Sequence, residues 1–562
     1  MWNFMENNRL RKNTTKKSSS NFLVQGAILA AAGIIVRVIG MFYRIPLADI
    51  LGDEGNGYYS SAFSIYSILL IVSSYSLPTA VSKMIATRLA RKEYTNSFRV
   101  LRVSLLYGTA AGGIGAAVLW FGADVFANHF LKMPYTSYAL KTLAPTIWVI
   151  AYLGVFRGYF QGIGTMLPTA ISQIFEQIVN AVISIYAASR LFQAGLHSNL
   201  VYSSSKYSFA FGAAGGTIGT GAGALAALLF LLFVFFSYRP VIRRQRRRDK
   251  SRHLESYGEI SSILIMTVLP IVLSSVAYNV STVIDNSIYG NVMASMGMED
   301  SVIASNWGVY SGRYHLLFNI PVAIANSLSS ALIPALSRAV AEKNRGQVTG
   351  RVAMVIRFSM IIAIPSTVGL TVLAGPICNL LFSGNGNGTL IKMMMYGSTA
   401  VVFFSLSTVT NAVLQGINRI QTPLKNAVIS LGIHVVILLV MLYVFRMGIY
   451  SVVYSNILFA LTMCLLNGVS IRRFLNYRQE MKKTFILPTL AAGIMGGLAY
   501  GVYFLIHITL KRNGLGVLVA IGAAAISYGV LLLKLGCVDE SELLNLPGGR
   551  KLARIAVKFH LL

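Results

Sequence analysis

Arg37 and Arg44 stand seven residues apart in an otherwise apolar stretch. On a helix seven residues make nearly two turns, about 10 Å of rise, so both guanidinium groups project from one face. A charge at the centre of a membrane helix costs ~2.5–3.5 kcal/mol on insertion scales, and residues retained at that cost are candidates for function. A third arginine, Arg313, follows Tyr310 by three residues and has His315 beside it. Two polar stripes at helical spacing accompany them: Gln173, Glu176, Gln177, Asn180 and Ser184, then Ser275, Tyr278, Asn279, Thr282, Asp285 and Asn286. Neither stripe is suited to face lipid. Three arginines against the carboxylates of Glu176 and Asp285 leave the set net positive, which favours an anion-binding cavity over a sodium or proton site. The structural alternative is that Arg37 pairs with Glu176 or Asp285 as a buried bridge, or that Arg44 snorkels to an interface. Gly26, Gly33 and Gly40 repeat at the same seven-residue spacing, which predicts a smooth flank for close helix contact.

The elements that must position these residues follow from composition. Of 562 residues, 55% are hydrophobic and 12% charged, about half the charged share of a soluble chain (~25%). A soluble enzyme is thereby excluded. A bilayer core of ~30 Å needs about 20 apolar residues per helix. Fourteen such runs occur, near 22–50, 58–84, 98–126, 136–158, 168–191, 208–237 and 259–289, then 306–338, 352–381, 391–416, 423–446, 449–471, 485–509 and 513–534. Membrane barrels use ~10-residue alternating strands, so runs of this length predict an all-α polytopic protein of fourteen transmembrane helices.

The 48 Lys and Arg against 18 Asp and Glu give a net charge of +30, and the cations collect in every second loop. Arg9, Arg11, Lys12, Lys16 and Lys17 precede the first run; Arg88, Arg91, Lys92, Arg99 and Arg102 join the second and third. Arg239 to Arg252, Arg338 to Arg357, Arg472 to Lys483 and the tail with Arg550, Lys551, Arg554 and Lys558 continue the pattern. Cytoplasmic loops keep the positive excess, so both termini are expected in the cytoplasm of a plasma membrane. The run Arg243 to Arg252 imitates a nucleic-acid patch, but positive-inside topology with contact to anionic lipid headgroups accounts for it, and no nucleic acid is expected. The basic start followed by Ala30, Ala31 and Ala32 imitates a signal peptide, yet the apolar run continues to Ile50, which predicts a retained first helix.

Landmarks repeat within the chain. Pro78 in Leu77-Pro78-Thr79-Ala80 returns as Pro334 in Ile333-Pro334-Ala335-Leu336, 256 residues later. Gln161-Gly162 before Pro168 returns as Gln415-Gly416 before Pro423, and Gly122 returns as Gly375, each ending a helix. Six helices per repeat is an even number, so both copies face the same way about a pseudo-twofold along the membrane normal. The expected organisation is a six-helix lobe over 1–240, a basic linker 241–257, a second six-helix lobe over 258–478, and two extra helices with a tail over 479–562. No P-loop, HExxH or GxSxG motif occurs; the glycine-rich stretches 212–223 and 384–388 lack a following Lys-Ser/Thr, and the first opens a helix. Cys378, Cys464 and Cys537 stand far apart and read as buried small hydrophobes. No catalytic residue, metal or cofactor is expected.

Arg37-Val38-Ile39-Gly40-Met41-Phe42-Tyr43-Arg44-Ile45-Pro46, Leu77 to Lys83, Phe156-Arg157-Gly158-Tyr159-Phe160-Gln161-Gly162 and Pro168 to Gln177 closely resemble the polysaccharide-flippase branch of the multidrug/oligosaccharidyl-lipid/polysaccharide exporter superfamily. Within it the chain is most similar to the stage V sporulation protein B type of Gram-positive bacteria, itself similar to the lipid II flippases. The resemblance implies fourteen helices in two lobes, outward movement of an undecaprenyl-diphosphate-linked saccharide such as a peptidoglycan precursor, and alternating access. It carries Arg37, Arg44 and Arg313 onto cavity arginines that would bind the diphosphate, since guanidinium meets phosphate oxygens in bidentate pairs. Gln173, Glu176, Gln177, Asn180, Tyr278, Asn279 and Asp285 would line the cavity for the headgroup. Lipid II flippases carry an arginine in the middle of the second helix and an acid after the second arginine of the first; here Tyr66, Ser67 and Ile45 stand there. A cation-coupled drug exporter of the same superfamily would need a carboxylate-dominated cavity, and a membrane scaffold partnering cell-wall synthesis enzymes would not need the arginines.

Overall fold

The computed structural model describes residues 2–247, 249, 253–342, 344–382, 387–419 and 421–537. The expected cations Arg248, Lys250, Arg252, Lys343, Arg550, Lys551, Arg554 and Lys558, and most of the stretch 384–388, lie outside the described residues. So do the side chains of the N-terminal cations, Ser275, Tyr278, Pro334 and Arg338, and the surroundings of Gly26.

Helix accounts for all regular structure among the described residues. The first half holds α1 Trp2–Leu70, α2 Leu77–Ala90, α3 Tyr94–Val125, α4 Thr136–Ile163, α5 Leu167–Tyr202, α6 Tyr207–Arg247, α7 Tyr257–Ser295 and α8 Asp300–Gly308. The second holds α9 His315–Ala341, α10 Arg345–Val372, α11 Ala374–Leu381, α12 Asn387–Gly397, α13 Ala400–Gly416, α14 Gln421–Tyr443, α15 Tyr450–Leu475, α16 Leu487–Leu510 and α17 Asn513–Lys534. Four π-helical turns interrupt them, at Ile71–Tyr75, Phe126–Phe130, Val309–Tyr314 and Lys482–Ile486. All fourteen apolar runs fall on helix. Nine described helices are each long and apolar enough to cross a bilayer, and α12 and α13 pass the same test together as a pair bent by 53°.

The first two runs differ from expectation. They are not two clean helices: α1 carries both, broken where Gly52 takes φ 63° and ψ −175°, a left-handed conformation that glycine adopts without Cβ strain. The break frees carbonyls in an environment that offers no water, and the Asn56 Nδ2 donates to the Ala48 and Gly52 oxygens at 2.8 and 2.7 Å. The second run is then interrupted by the π turn at Ile71–Tyr75 before Pro78 enters the first turn of α2.

By packing, the chain forms two compact units, Met1–Gly308 and Val309–Leu562. In the first, α5 and α6 approach backbone to backbone. A Cβ on Gly215 would lie 2.6 Å from the Ala187 carbonyl carbon, on Gly219 2.7 Å from Ser184 Cα, and on Gly223 2.6 Å from the Glu176 carbonyl oxygen. The glycine-rich stretch that reads in sequence as the opening of a helix is thus its contact face. A second seam joins α1 to α8: a Cβ on Gly57 would meet the Ala304 carbonyl carbon at 2.5 Å, and one on Gly308 the Gly57 nitrogen at 2.5 Å and the Asp53 carbonyl. Gly33 has open space, and a Cβ on Gly40 would lie 3.0 Å from the Gln177 side chain, so of the expected small-residue flank the described residues show close approach at Gly40 and none at Gly33.

The linker expected between lobes is fastened to this first unit. Arg88, itself buried, donates from Nε to Glu255 Oε2 at 2.8 Å. Asn96 Nδ2 donates to the His253 oxygen at 3.0 Å, and the Thr95 amide to Asp249 Oδ2 at 2.8 Å. Ser256 and Glu259 then form a reciprocal capping box that starts α7. Glu255→Ala leaves the buried Arg88 with the Met84 carbonyl in place of a carboxylate, a loss of about 2 kcal/mol for charge-assisted bonds. The purified variant is expected to melt at a lower temperature in detergent; an unchanged melting point would show that the clamp holds nothing.

In the second unit a group of buried amides is satisfied between helices, as a low-dielectric interior favours. Asn467 accepts from Asn426 Nδ2 at 2.8 Å and donates to Thr410 Oγ1 and Asn411 Oδ1 at 3.1 and 2.8 Å, tying α13, α14 and α15. The helices of the last two runs dock on α10 and α11: Tyr528 donates to the Ile361 oxygen at 3.0 Å and Asn513 to the Pro376 oxygen at 3.1 Å. The repeated Gln-Gly pairs have matching surroundings, Gly162 against Ile85 of α2 and Gly416 against Leu336 of α9. Gly122 and Gly375 do not both end helices, since Gly122 lies inside α3 and Gly375 is the second residue of α11. The three cysteines are buried and free.

Candidate functional site

The stripe predicted on the fifth run and the helix that carries the arginines of the first run meet in the first unit. Asn180 Nδ2 donates to the Tyr43 hydroxyl at 3.4 Å, and Gly40 faces Gln177. Both pairs are separated by 137 residues, so α1 and α5 run parallel in one register, and Glu176 stands level with Ile39, between Arg37 and Arg44. The helix that carries the arginines is thus laid along the polar stripe through Gly40 and Tyr43.

Arg37 and Arg44 are both exposed, and Arg44 lies beside the hydroxyls of Tyr43 and Tyr59. Among the described residues neither forms an ion pair. The bridge from Arg37 to Glu176 or Asp285 expected as the structural alternative is therefore absent, and at Glu176 the reason is a competitor. Arg157 of α4 donates from Nη2 to Glu176 Oε2 at 2.6 Å and from Nε to the buried Ser172 Oγ at 3.1 Å. Tyr66 of α1 adds a phenol that is 3% exposed, has no hydrogen-bond partner and lies within electrostatic reach of Glu176. Spacing alone does not single out Arg157, which stands one residue inside the end of an apolar run, and Tyr66 stands in the sequence only where lipid II flippases carry an arginine.

The other candidates are distributed. Gln173 is half-buried on the same helix, and Asn180 Oδ1 also accepts from Ser184 at 2.8 Å. Asp285 is 2% exposed on α7, where the neighbouring Asn286 donates to Ser61 Oγ at 2.9 Å; Asn279 is exposed. The side chain of Tyr278 lies outside the described residues. In the second unit Arg313 sits in the π turn Val309–Tyr314, 4% exposed, its guanidinium 5.3 Å from the centre of the Phe382 ring and donating to Asn387 Oδ1 at 3.4 Å. Tyr310, three residues before it, receives a hydrogen bond from Asn456 Nδ2 at 3.2 Å and contacts His315 Nε2 at 3.1 Å.

In the first unit Glu176 is neutralised by Arg157, and Arg37 and Arg44 are the surplus cations beside a polar, amide-rich helix. Such a seam attracts an anion. The family model described as the lipid II flippase MurJ matches residues 81–524. The chain belongs to the MurJ family. Two relatives in Bacillus subtilis (strain 168) are the stage V sporulation protein B, 26% identical over 533 residues covering 94% of this chain and 98% of that one, and a lipid II flippase MurJ, 25% identical over 437 residues covering 75% and 77%. Among solved structures, a lipid II flippase MurJ in an inward closed conformation has a TM-score of 0.63 at 16% identity, covering 90% of this chain and 98% of that one. An inward-facing multidrug MATE transporter of the MOP superfamily has a TM-score of 0.58 at 18% identity, covering 79% and 98%. These two likenesses concern the fold. Membership of the MurJ family, together with the apolar helices, makes this a multi-pass bacterial membrane protein whose relatives are transporters.

Proposed function

We propose that this MurJ-family chain moves an undecaprenyl-diphosphate-linked saccharide, of the kind represented by the peptidoglycan precursor lipid II, from the inner to the outer leaflet of a Gram-positive plasma membrane. Both termini are cytoplasmic, and the six-helix lobes 1–240 and 258–478 alternate in access. Arg37, Arg44 and Arg313 bind the diphosphate, and the amides of α5 and the polar stripe of α7 meet the headgroup. The observation that carries this reading is the pair of arginines, without carboxylate partners, on an apolar helix of a flippase family. A guanidinium retains its charge when desolvated and offers planar, bidentate donors to phosphate oxygens. A drug exporter coupled to cations would need a free carboxylate at this place, and Glu176 is occupied by Arg157.

An inside-negative potential acts on a moved charge at ~2.3 kcal/mol per unit charge per 100 mV, so it favours export of an anionic headgroup. In vesicles holding the purified protein and a fluorescent undecaprenyl-diphosphate disaccharide, outward movement is expected to accelerate when such a potential is imposed without sodium or proton gradients. Movement no faster than in protein-free vesicles would reject the function.

A further inference from the structure

Resting on that reading, we infer that Arg157 belongs to the anion site and that the Glu176 carboxylate is its resident stand-in, displaced when a diphosphate enters. The guanidinium has two directed contacts, one on Glu176 Oε2 at 2.6 Å and one on Ser172 Oγ at 3.1 Å. An arginine fork can hold an anion with two parallel donors; here one of them holds a neutral hydroxyl. The register of α1 on α5 puts Glu176, the anion now bound by Arg157, at a height along the helices between Arg37 and Arg44. Tyr66 supplies an independent sign: the residue is buried, its hydroxyl lacks a hydrogen-bond partner, and it lies within electrostatic reach of the same carboxylate. A buried donor left unmet costs free energy. It is satisfied once an anion with more acceptor oxygens than a carboxylate occupies the place.

Glu176 then does two things. It keeps Arg157 ordered and compensated while the seam is empty, and it competes with the substrate, so that a diphosphate is held and released rather than trapped. Removing it strengthens binding; removing Arg157 weakens it. A structural staple between α4 and α5 predicts neither: it predicts equal loss of folded protein from either change and full repair by exchanging the two residues.

The experiment uses the full chain purified in detergent, with geranylgeranyl diphosphate and inorganic pyrophosphate as probes and binding followed by microscale thermophoresis. Glu176→Gln is expected to tighten geranylgeranyl diphosphate about tenfold, the scale of one charge-assisted hydrogen bond, and Arg157→Lys, which keeps the charge and loses the fork, to weaken it by a similar factor. Tightening of both probes assigns the contact to the phosphates alone, and tightening of the lipid probe only assigns it to a diphosphate presented from the bilayer; either supports the inference. The exchange Arg157→Glu with Glu176→Arg keeps the ion pair and guards against a folding defect in the single variants; it is expected to melt like the parent and bind poorly. Unchanged affinity in Glu176→Gln, or parental binding in the exchanged protein, overturns the inference. Arg37→Ala separates the two levels. If it abolishes binding while Glu176→Gln does nothing, this inference alone fails; if it too binds normally, the flippase assignment of the arginines fails.

Discussion

Replacing Arg37 or Arg44 with alanine is expected to abolish complementation of a flippase-depleted strain while leaving membrane abundance near normal. Both side chains are exposed and free of ion pairs, so their loss opens no cavity and strands no carboxylate. The effect falls on the ligand. Each removed charge-assisted partner withdraws ~1.5–3 kcal/mol, which at 1.4 kcal/mol per decade is roughly a tenfold to hundredfold loss of affinity. Lysine is expected to rescue poorly, because an ammonium keeps the charge but not the planar fork. Glu176 is partnered by Arg157 and is not released by the loss of Arg37, so the Arg37→Ala protein is expected to need no second change to be well expressed. Well-expressed Arg37→Ala protein that sustains growth would remove the arginines from the transport mechanism.

The largest structural effect is expected at Gly219. A Cβ there would lie 2.7 Å from Ser184 Cα and press on its hydroxyl and amide, and Ser184 itself bonds Asn180 and the Gly216 oxygen at 2.8 Å. Nothing flexible is available to yield, so Gly219→Leu must push α6 away from α5 along the face shared with Gly215 and Gly223. Overpacking of this kind costs about 3 kcal/mol, and displacement of α5 also moves Glu176 and Gln177. Little monodisperse protein should survive detergent extraction. Gly522→Ala in α17 is the matched comparison: nothing lies within 4 Å of its Cβ position, and the protein is expected to extract and melt normally. Equal behaviour of the two variants would show that the α5–α6 contact is looser than described.

Much of the helical layout was legible because hydrophobic length is set by the bilayer: α17 spans Asn513–Lys534, the bounds the apolar run predicts. Errors concentrate where a helix continues after its apolar run ends. Thus α5 continues to Tyr202 through Leu196, Leu200 and Val201, and α6 to Arg247, because membrane hydropathy says nothing about where a helix stops in water. The site was legible as far as single helices carry it. Arg37 and Arg44 share a face by spacing alone, and the stripe on α5 has its period in the sequence. The partner of Glu176 was not legible, since it depends on which face α4 turns to α5, and that rotation is fixed by contacts between residues distant in sequence. The one pattern that could have narrowed it is the four-residue spacing of Gly215, Gly219 and Gly223, which identifies the face of α6 that α5 must cover.

The seam where Gly57 lies on Ala304 and Gly308 on the backbone near Asp53 is a catch made of main chain. Glycine and alanine surrender no rotamer freedom on contact, so parting the two helices of the catch requires no side chain to be unwound and re-engaging it requires none to be found again. Yet the register is narrow. A slip of one residue would bring Tyr58 or Ile303 into a gap that has no space for a Cβ, so the catch can close fast and in one place.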